Sequence, residues 1–313
     1  MTHPKRRVLS HFPRDGIRWI EDDFPEIEIV AIPGEGPLEE NLEGEILLTY
    51  AFGTPNIRDV LPRGIRWVHT IGAGIDGFPL EGLGDRIFTC SRGVSSVPIA
   101  EWTLAVMLAF EKQLPEMWIT APPERWNWAQ LGSLAGRNLS ILGLGGIGQA
   151  IATRALAFGM HVKGIRRTQE PCPVKGVNIA EDLSQLVCDA DHLVIAAPAT
   201  EKTKHIIGEK TLAQGKPGLH LVNVARGDLV DQEALRTALD DGRVARASLD
   251  VATPEPLPEG HWLYHHPRVR LSPHVSWSMP NAVDHLVESF VRNLRLYLDK
   301  KPLKGLVSIE HGY

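Results

Sequence analysis

The run Gly143-Leu144-Gly145-Gly146-Ile147-Gly148 is a G-x-G-x-x-G pattern. It follows the apolar segment Leu139 to Leu142 and leads into Ala150, Ile151, Arg154, Ala155 and Phe158, spaced as on a helix. Between a strand and a helix, such glycines permit a tight turn, close approach of backbone to a pyrophosphate, and close helix packing. The helix N-terminus adds N–H groups and partial positive charge. A dinucleotide site at Gly143, Gly145, Gly146, Ile147 and Gly148 is therefore expected. An acid about 20 residues further on would accept from a ribose 2′-OH and repel a 2′-phosphate. The chain instead reads Gly164-Ile165-Arg166-Arg167-Thr168 there. Two guanidinium groups and a hydroxyl suit a dianionic phosphate, which favours NADP(H) over NAD(H).

Three further polar residues each follow a segment that reads as a strand. Arg226 ends Leu221-Val222-Asn223-Val224-Ala225-Arg226, Glu255 lies in Leu249-Asp250-Val251-Ala252-Thr253-Pro254-Glu255, and His274 ends Leu271-Ser272-Pro273-His274. On the same sheet edge as the glycine loop, an Arg, a Glu and a His could converge where a nicotinamide ring emerges.

The elements that must position these residues alternate between short apolar runs and amphipathic stretches, the pattern of an α/β chain with parallel sheets. One strand series holds Val8 to Ser10, Ile27 to Ile32, Ile46 to Thr49, Trp67 to His69 and Arg86 to Thr89. A second holds Leu139 to Leu142, His161 to Ile165, His192 to Ala196, Leu219 to Val224, Ala247 to Leu249 and Val269 to Leu271. Between the series lies a nearly all-apolar helix, Ser96 to Phe110, which must be covered on every face and so belongs between domains or subunits. The Pro- and Trp-containing stretch Leu114 to Gly136 reads as an irregular connector. In the second series, helices Ile147 to Phe158 and Gln232 to Asp240 are closed by Gly159 and Gly242. A last amphipathic helix, Ala282 to Leu298, is left over after the second sheet closes and is expected to return to the first domain. The expected domains are 1–96 with 283–313, and 97–282.

Composition narrows the function classes. The 313 residues are 43% hydrophobic and 23% charged, an ordinary globular balance with room for two domains. A formal charge of −5 provides no basic field for nucleic acid, and Lys5, Arg6 and Arg7 read as the solvated flank of the first strand. There is no secretory signal pattern, and the apolar run Val97 to Phe110 is shorter than the roughly 20 residues that span a bilayer. A cytoplasmic protein with no membrane partner is expected. Cys90, Cys172 and Cys188 lack the paired spacing of a zinc or redox site.

From about Ile71 to Arg295 the sequence resembles the D-isomer-specific 2-hydroxyacid dehydrogenase family. The motifs that carry the resemblance are Gly143 to Gly148, Asn223 to Asp231, Leu249-Asp250-Val251 with Pro254-Glu255-Pro256, and Ser272-Pro273-His274, with a looser match at Gly72-Ala73-Gly74-Ile75-Asp76. Their order and spacing are far more specific than any one motif. The resemblance implies two Rossmann-like domains: a doubly wound parallel-sheet cofactor domain and a smaller flavodoxin-like substrate domain. It makes His274 the proton donor held by Glu255, and Arg226 the group that grips the carboxylate of a small 2-oxo acid and polarises its 2-oxo group. Backbone N–H groups of Gly72, Ala73 and Gly74 would bind the same carboxylate. Apart from the resemblance, Phe52, just past the third strand, and Trp277, three residues after His274, are expected at the substrate pocket. Pro198, Thr200, Ala225 and Asp250 would join Arg166, Arg167 and Thr168 around the cofactor. A homodimer built on the apolar helix is implied as well. His261, His265 and His266 match a variable Pro-rich loop, and no metal is expected.

The match also has departures. Arg166 replaces the usual acid, Ala252 stands where a bulky aromatic is common, and Trp277 follows the catalytic histidine by three residues. The expected reaction is NADPH-dependent reduction of a glyoxylate- or hydroxypyruvate-like acid. Oxidation of phosphite or formate is disfavoured, because those relatives carry lysine where Ala73 stands or glutamine where Glu255 stands. A nucleotide-sensing protein like the corepressor relatives shares the triad but carries partner-binding extensions.

Overall fold

A computed structural model describes residues 5–127, 129–167 and 171–309. The chain forms two compact units, one taking it up to Val94 and again from Pro280, the other spanning Ser95–Met279.

The first unit holds a five-stranded sheet of β1 (Arg6–Ser10), β2 (Ile27–Ala31), β3 (Ile46–Tyr50), β4 (Trp67–Ile71) and β5 (Ile87–Cys90). The strands pair in the order β2-β1-β3-β4-β5, all parallel. Consecutive residues Val8-Leu9 and Ile46-Leu47-Leu48 are fully buried, so both faces of the sheet are covered, as a parallel sheet requires. Three short helices, α1 (Arg14–Ile17), α2 (Trp19–Asp23) and α3 (Ile57–Val60), connect its strands.

The second unit opens with α4 (Ser96–Glu111) and builds a seven-stranded sheet. Its strands are β6 (Asn138–Leu142), β7 (His161–Ile165), β8 (Val177–Ile179), β9 (His192–Ile195), β10 (Leu219–Asn223), β11 (Val244–Leu249) and β12 (Val269–Leu271). They pair in parallel in the order β12-β11-β10-β9-β6-β7-β8. The order turns back on itself at β6, between β9 and β7, so the loop after β6 lies at a switch point. Helices α5 (Gly146–Ala157), α6 (Leu183–Val187), α7 (Glu209–Gln214) and α8 (Gln232–Asp240) make the crossovers. Asp182 caps α6 by accepting from Gln185 N, and Asp231 caps α8 by accepting from Glu233 N and Ala234 N. Between α4 and β6 the described residues, 112–127 and 129–137, form no helix or strand.

Helix α4 buries Ile99, Ala100, Leu104 and Met107 in one cluster with Ile141, Ile151 and Val222. It is not covered on every face within its own unit: Val97, Glu101 and Ala105, four residues apart, are exposed. The last helix, α9 (Ala282–Leu298), belongs to the first unit, where Val287, Phe290 and Leu294 pack with Val8, Ile46 and Trp67. Trp67 stacks on Phe290 and Tyr297 with ring centroids 5.4 and 5.0 Å away. Among the described residues no helix is long and apolar enough to cross a membrane. No group of three His, Cys, Asp or Glu among them is placed to hold a metal ion.

Each sheet carries buried imidazole. In the first unit His69 meets Thr89 Oγ1 at 2.7 Å, Ser91 Oγ at 3.3 Å and Ser289 Oγ at 3.4 Å, tying β4 and β5 to α9. In the second, His192 Nδ1 meets His220 Nδ1 at 3.0 Å, with Glu111 Oε1 on His192 Nε2 and Ser248 Oγ on His220 Nε2. Burial pushes Glu111 up, but hydrogen bonds from His192 and Arg137 hold its carboxyl below the usual range. His220 is driven well below the ordinary histidine value by burial, then by the neighbouring His192 and Arg246. Burial alone takes His69 down to about 3.

Unfolding returns such a histidine to its ordinary value near 6.5, so below that pH the unfolded chain binds a proton that the folded one refuses. The stability is complete above pH 6.5 and is lost as pH falls toward 3, at about 1.4 kcal/mol per histidine and pH unit. Urea unfolding followed by tryptophan fluorescence from pH 7.5 to 5 should show this slope, and His69→Gln should flatten it by about one proton's worth. An unchanged slope in the variant would remove His69 from the account.

Candidate active site

The glycine loop is shaped by contact. Gly143 has a φ of 106°, and a Cβ there would lie 2.6 Å from Ala197 N. A Cβ on Gly148 would lie 2.0 Å from Gly143 O, so α5 can approach β6 only without a side chain. Gly145 differs: it is exposed, and a Cβ would meet no protein atom within 4 Å. It is also the N-cap of α5 and supplies no side-chain cap, so the first turn keeps its N–H groups available. The two crowded glycines and the open one leave a backbone-lined cradle at a helix N-terminus, which fits a dinucleotide pyrophosphate.

Arg226, Glu255 and His274 occupy turns after three neighbouring strands, β10, β11 and β12. Glu255 Oε2 is 2.8 Å from His274 Nδ1, and Glu255 Oε1 accepts from Ala252 N at 2.9 Å. The carboxylate is thus fixed at one oxygen by backbone and presents the other to the imidazole. His274 and Glu255 keep side-chain exposures of 40% and 39%, so the pair is open to proton exchange with solvent. No hydrogen bond to His274 Nε2 is formed among the described residues, which leaves that atom as the outward end of the pair. Gln232 Nε2 holds the Glu255 loop from below through Thr253 O.

The Arg226 turn is braced by Asn223, whose Nδ2 donates to Arg226 O and whose Oδ1 accepts from Ala225 N. Asn223 was assigned no role from its sequence position; the signal was an amide at the end of the strand Leu219–Asn223. Gly227 lets this turn touch the Glu255 loop, since a Cβ there would lie 2.1 Å from the carbonyl carbon of Ala252. The half-buried Arg226 donates from Nη1 to Ala225 O.

The remaining expected residues are distributed as follows. Arg166 and Arg167 follow β7 directly, half-buried and exposed respectively, and Arg166 Nη1 donates to Pro171 O. Thr168 lies outside the described residues. Pro198 and Thr200 follow β9 in a turn closed by Thr203, whose hydroxyl donates to Pro198 O and accepts from Thr200 N. Ile147 is half-buried in the first turn of α5. Asp250 is buried, with its carboxylate turned to the 272–276 loop, and Trp277 gives its indole N–H to His274 O. In the first unit, Phe52 follows β3 and is 71% exposed, its ring stacked on Tyr50 at 5.6 Å. Gly72, with a φ of 119°, Ala73 and Gly74 follow β4 on the same edge of that sheet.

Comparison with known proteins identifies a family for the chain. The family model described as "D-isomer specific 2-hydroxyacid dehydrogenase, NAD binding domain" matches residues 104–276. A glyoxylate reductase of Thermococcus gammatolerans is 32% identical over 98% of this chain and 96% of its own. A D-3-phosphoglycerate dehydrogenase of Methanocaldococcus jannaschii is 32% identical over 80% of this chain, which spans about half the length of that relative (49%). The crystal structure of a D-isomer specific 2-hydroxyacid dehydrogenase from Xanthobacter autotrophicus Py2, in complex with NADPH and MES, is 25% identical with a TM-score of 0.85. The alignment covers 99% of this chain and 100% of that one.

The cradle geometry separates two substitutions. Gly145→Ala should leave the melting temperature unchanged within a degree or two while weakening dinucleotide binding about tenfold or more, because the new methyl enters only the open space of the cradle. Gly148→Ala should lower stability itself, by about 1–3 kcal/mol, because backbone must move. Calorimetry and fluorescence titration with NADPH check both; equal melting temperatures for the two variants would contradict the packing argument.

Proposed function

Because the chain belongs to the D-isomer specific 2-hydroxyacid dehydrogenase family, we propose that it reduces small 2-oxo acids of the glyoxylate and hydroxypyruvate kind to D-2-hydroxy acids, with NADPH. The observation that carries this reading is the 2.8 Å pair of Glu255 and His274, with Arg226 on the neighbouring turn of the same sheet edge. When bound, reduced nicotinamide would supply a hydride to the 2-oxo carbon. Arg226 is the carboxylate clamp: its always-charged planar fork can hold one end of the acid and draw electron density from the 2-oxo group. His274 gives a proton from Nε2 to the oxygen on which charge develops, and Glu255 holds Nδ1–H and stabilises the imidazolium.

The unit with Phe52 and Gly72 to Gly74 is the substrate-binding domain in this reading, and the unit with the glycine cradle binds the dinucleotide. The preference for NADPH is supported by Arg166 and Arg167 at the end of β7, where no acid stands, and by the NADPH bound to the Xanthobacter relative. The exposed line Val97 and Ala105 on α4 supports a homodimer, as do Trp118 and Trp126 in the connector that follows.

Two sets of measurements test these assignments. A screen of NADPH and NADH oxidation with several 2-oxo acids should show higher kcat/KM with NADPH, mainly through KM, since the arginines would meet a phosphate remote from the reacting carbon. Arg166→Asp should reverse the preference, and equal or better use of NADH by the unmodified protein would refute it. His274→Gln should cut kcat about 10²-fold or more with NADPH binding near normal. Glu255→Gln removes the carboxylate that holds His274 Nδ1–H, so kcat should fall about tenfold or more with NADPH binding near normal. An unchanged kcat in Glu255→Gln would remove Glu255 from the site.

A further inference from the structure

His274 occupies left-handed backbone, with φ at 54°. That region is uncommon outside glycine, although histidine enters it more readily than most residues. Both main-chain polar groups of His274 are held: its N–H donates to Asp250 O at 2.8 Å, and its carbonyl accepts from Trp277 Nε1 at 2.9 Å. The Asp250 carboxylate takes the rest of the loop. Oδ1 accepts from Ser272 Oγ at 2.5 Å and Val275 N at 2.9 Å, and Oδ2 accepts from Ser276 N at 2.9 Å. Asp250 is only 1% exposed, so three donors from residues on either side of His274 converge on a carboxylate removed from solvent. Buried charge persists where hydrogen bonds compensate it, and here all the donors come from the loop that carries the proton donor.

The same residue ties that loop to the arginine turn. Asp250 N donates to Asn223 O at 3.0 Å, and Asn223 Nδ2 donates to Arg226 O at 2.8 Å. Arg226, Asn223, Asp250 and His274 are thereby joined across the ends of β10, β11 and β12 by hydrogen bonds buried in the sheet edge. The Trp277 ring packs on the cluster of Ile99, Leu104 and Val224, which fixes the direction of its N–H.

We propose that Asp250 and Trp277 are positioning residues, which hold the backbone of His274 so that its imidazole meets Glu255 and the substrate. This is a different role from the cofactor contact expected of Asp250 and the substrate-pocket position expected of Trp277. The proposal rests on His274 being the proton donor.

The test uses Asp250→Asn, Trp277→Phe and His274→Gln in the full chain, with kcat expressed per NADPH-binding site. An amide in place of the carboxylate turns one acceptor into a donor facing the loop's own N–H groups. Asp250→Asn should lower kcat tenfold or more, leave the NADPH dissociation constant and the KM for the 2-oxo acid within twofold, and speed amide exchange at 274–276 at least tenfold in the cofactor-free protein. Trp277→Phe keeps an aromatic ring and removes one N–H, so it should lower kcat severalfold at unchanged KM; it decides the matter if Asp250→Asn fails to fold. The proposal is overturned if Asp250→Asn weakens NADPH binding tenfold with kcat intact at saturating cofactor. A Trp277→Phe that changes KM and not kcat also overturns it. If His274→Gln retains its kcat, the proton-donor reading fails by itself, whereas normal kcat in the other two variants beside a crippled His274→Gln defeats only this inference.

Discussion

Every pairing among the strands β1 to β12 is parallel, so none of them can be joined to its neighbour by a tight turn. Each connection must cross over a face of the sheet, and the carboxyl ends of all strands gather on one edge. In the second unit that edge receives the turns bearing Gly143, Arg166, Pro198, Arg226, Asp250 and His274, from segments spread over 130 residues of sequence. The chemistry depends on this arrangement more than on any single contact. An antiparallel reversal at any one of these strands would move its polar residue to the far edge.

The two ends of that sheet handle polar groups differently. At the amino end, Glu111, His192 and His220 form a buried chain of hydrogen bonds that runs on to Ser248 within β11, with Arg137 on Glu111, and no side chain among His192, Glu111 and His220 reaches solvent appreciably. Burial there keeps His220 uncharged and makes the chain a structural tie between α4 and three strands. At the carboxyl end, buried Asn223 and Asp250 bind backbone, while His274 and Glu255 stand partly in water. Histidine thus occupies two environments in one domain, which differ in solvent access and in the partner on each ring nitrogen.

Much of this was legible in the sequence, for identifiable reasons. Strands buried on both faces read as unbroken apolar runs, so Ile46–Tyr50 and His192–Ile195 stood out, and the glycine run was readable because a strand precedes it and a helix follows. The two-sheet architecture followed from the family motifs and from the alternation, whereas the order of strands within each sheet did not. Other features were not legible. Strand β11 begins at Val244, three residues before its apolar core, because Arg246 can lie in the sheet with its guanidinium 5.6 Å from the Phe110 ring. Strand β8 and the helices α1, α2, α3, α6 and α7 are too short for periodicity to announce them. Helix α4 looked uniformly apolar, yet its own unit covers only one side. At the site, residue types pointed to Arg226, Glu255 and His274, but the supporting bonds of Asn223, Asp250, Gln232 and Trp277 depend on neighbouring strand ends and leave no mark in residue spacing.

The account turns on the direction in which His274 presents its proton. A crystal structure with NADP and oxamate, an unreactive mimic of a small 2-oxo acid, would show it directly. The account predicts His274 Nε2 within about 3.2 Å of the oxamate oxygen that stands for the 2-oxo group, Nδ1 still on Glu255, and the Arg226 guanidinium on the carboxylate. A complex in which another side chain faces that oxygen, or in which the Glu255–His274 pair has come apart, would contradict it.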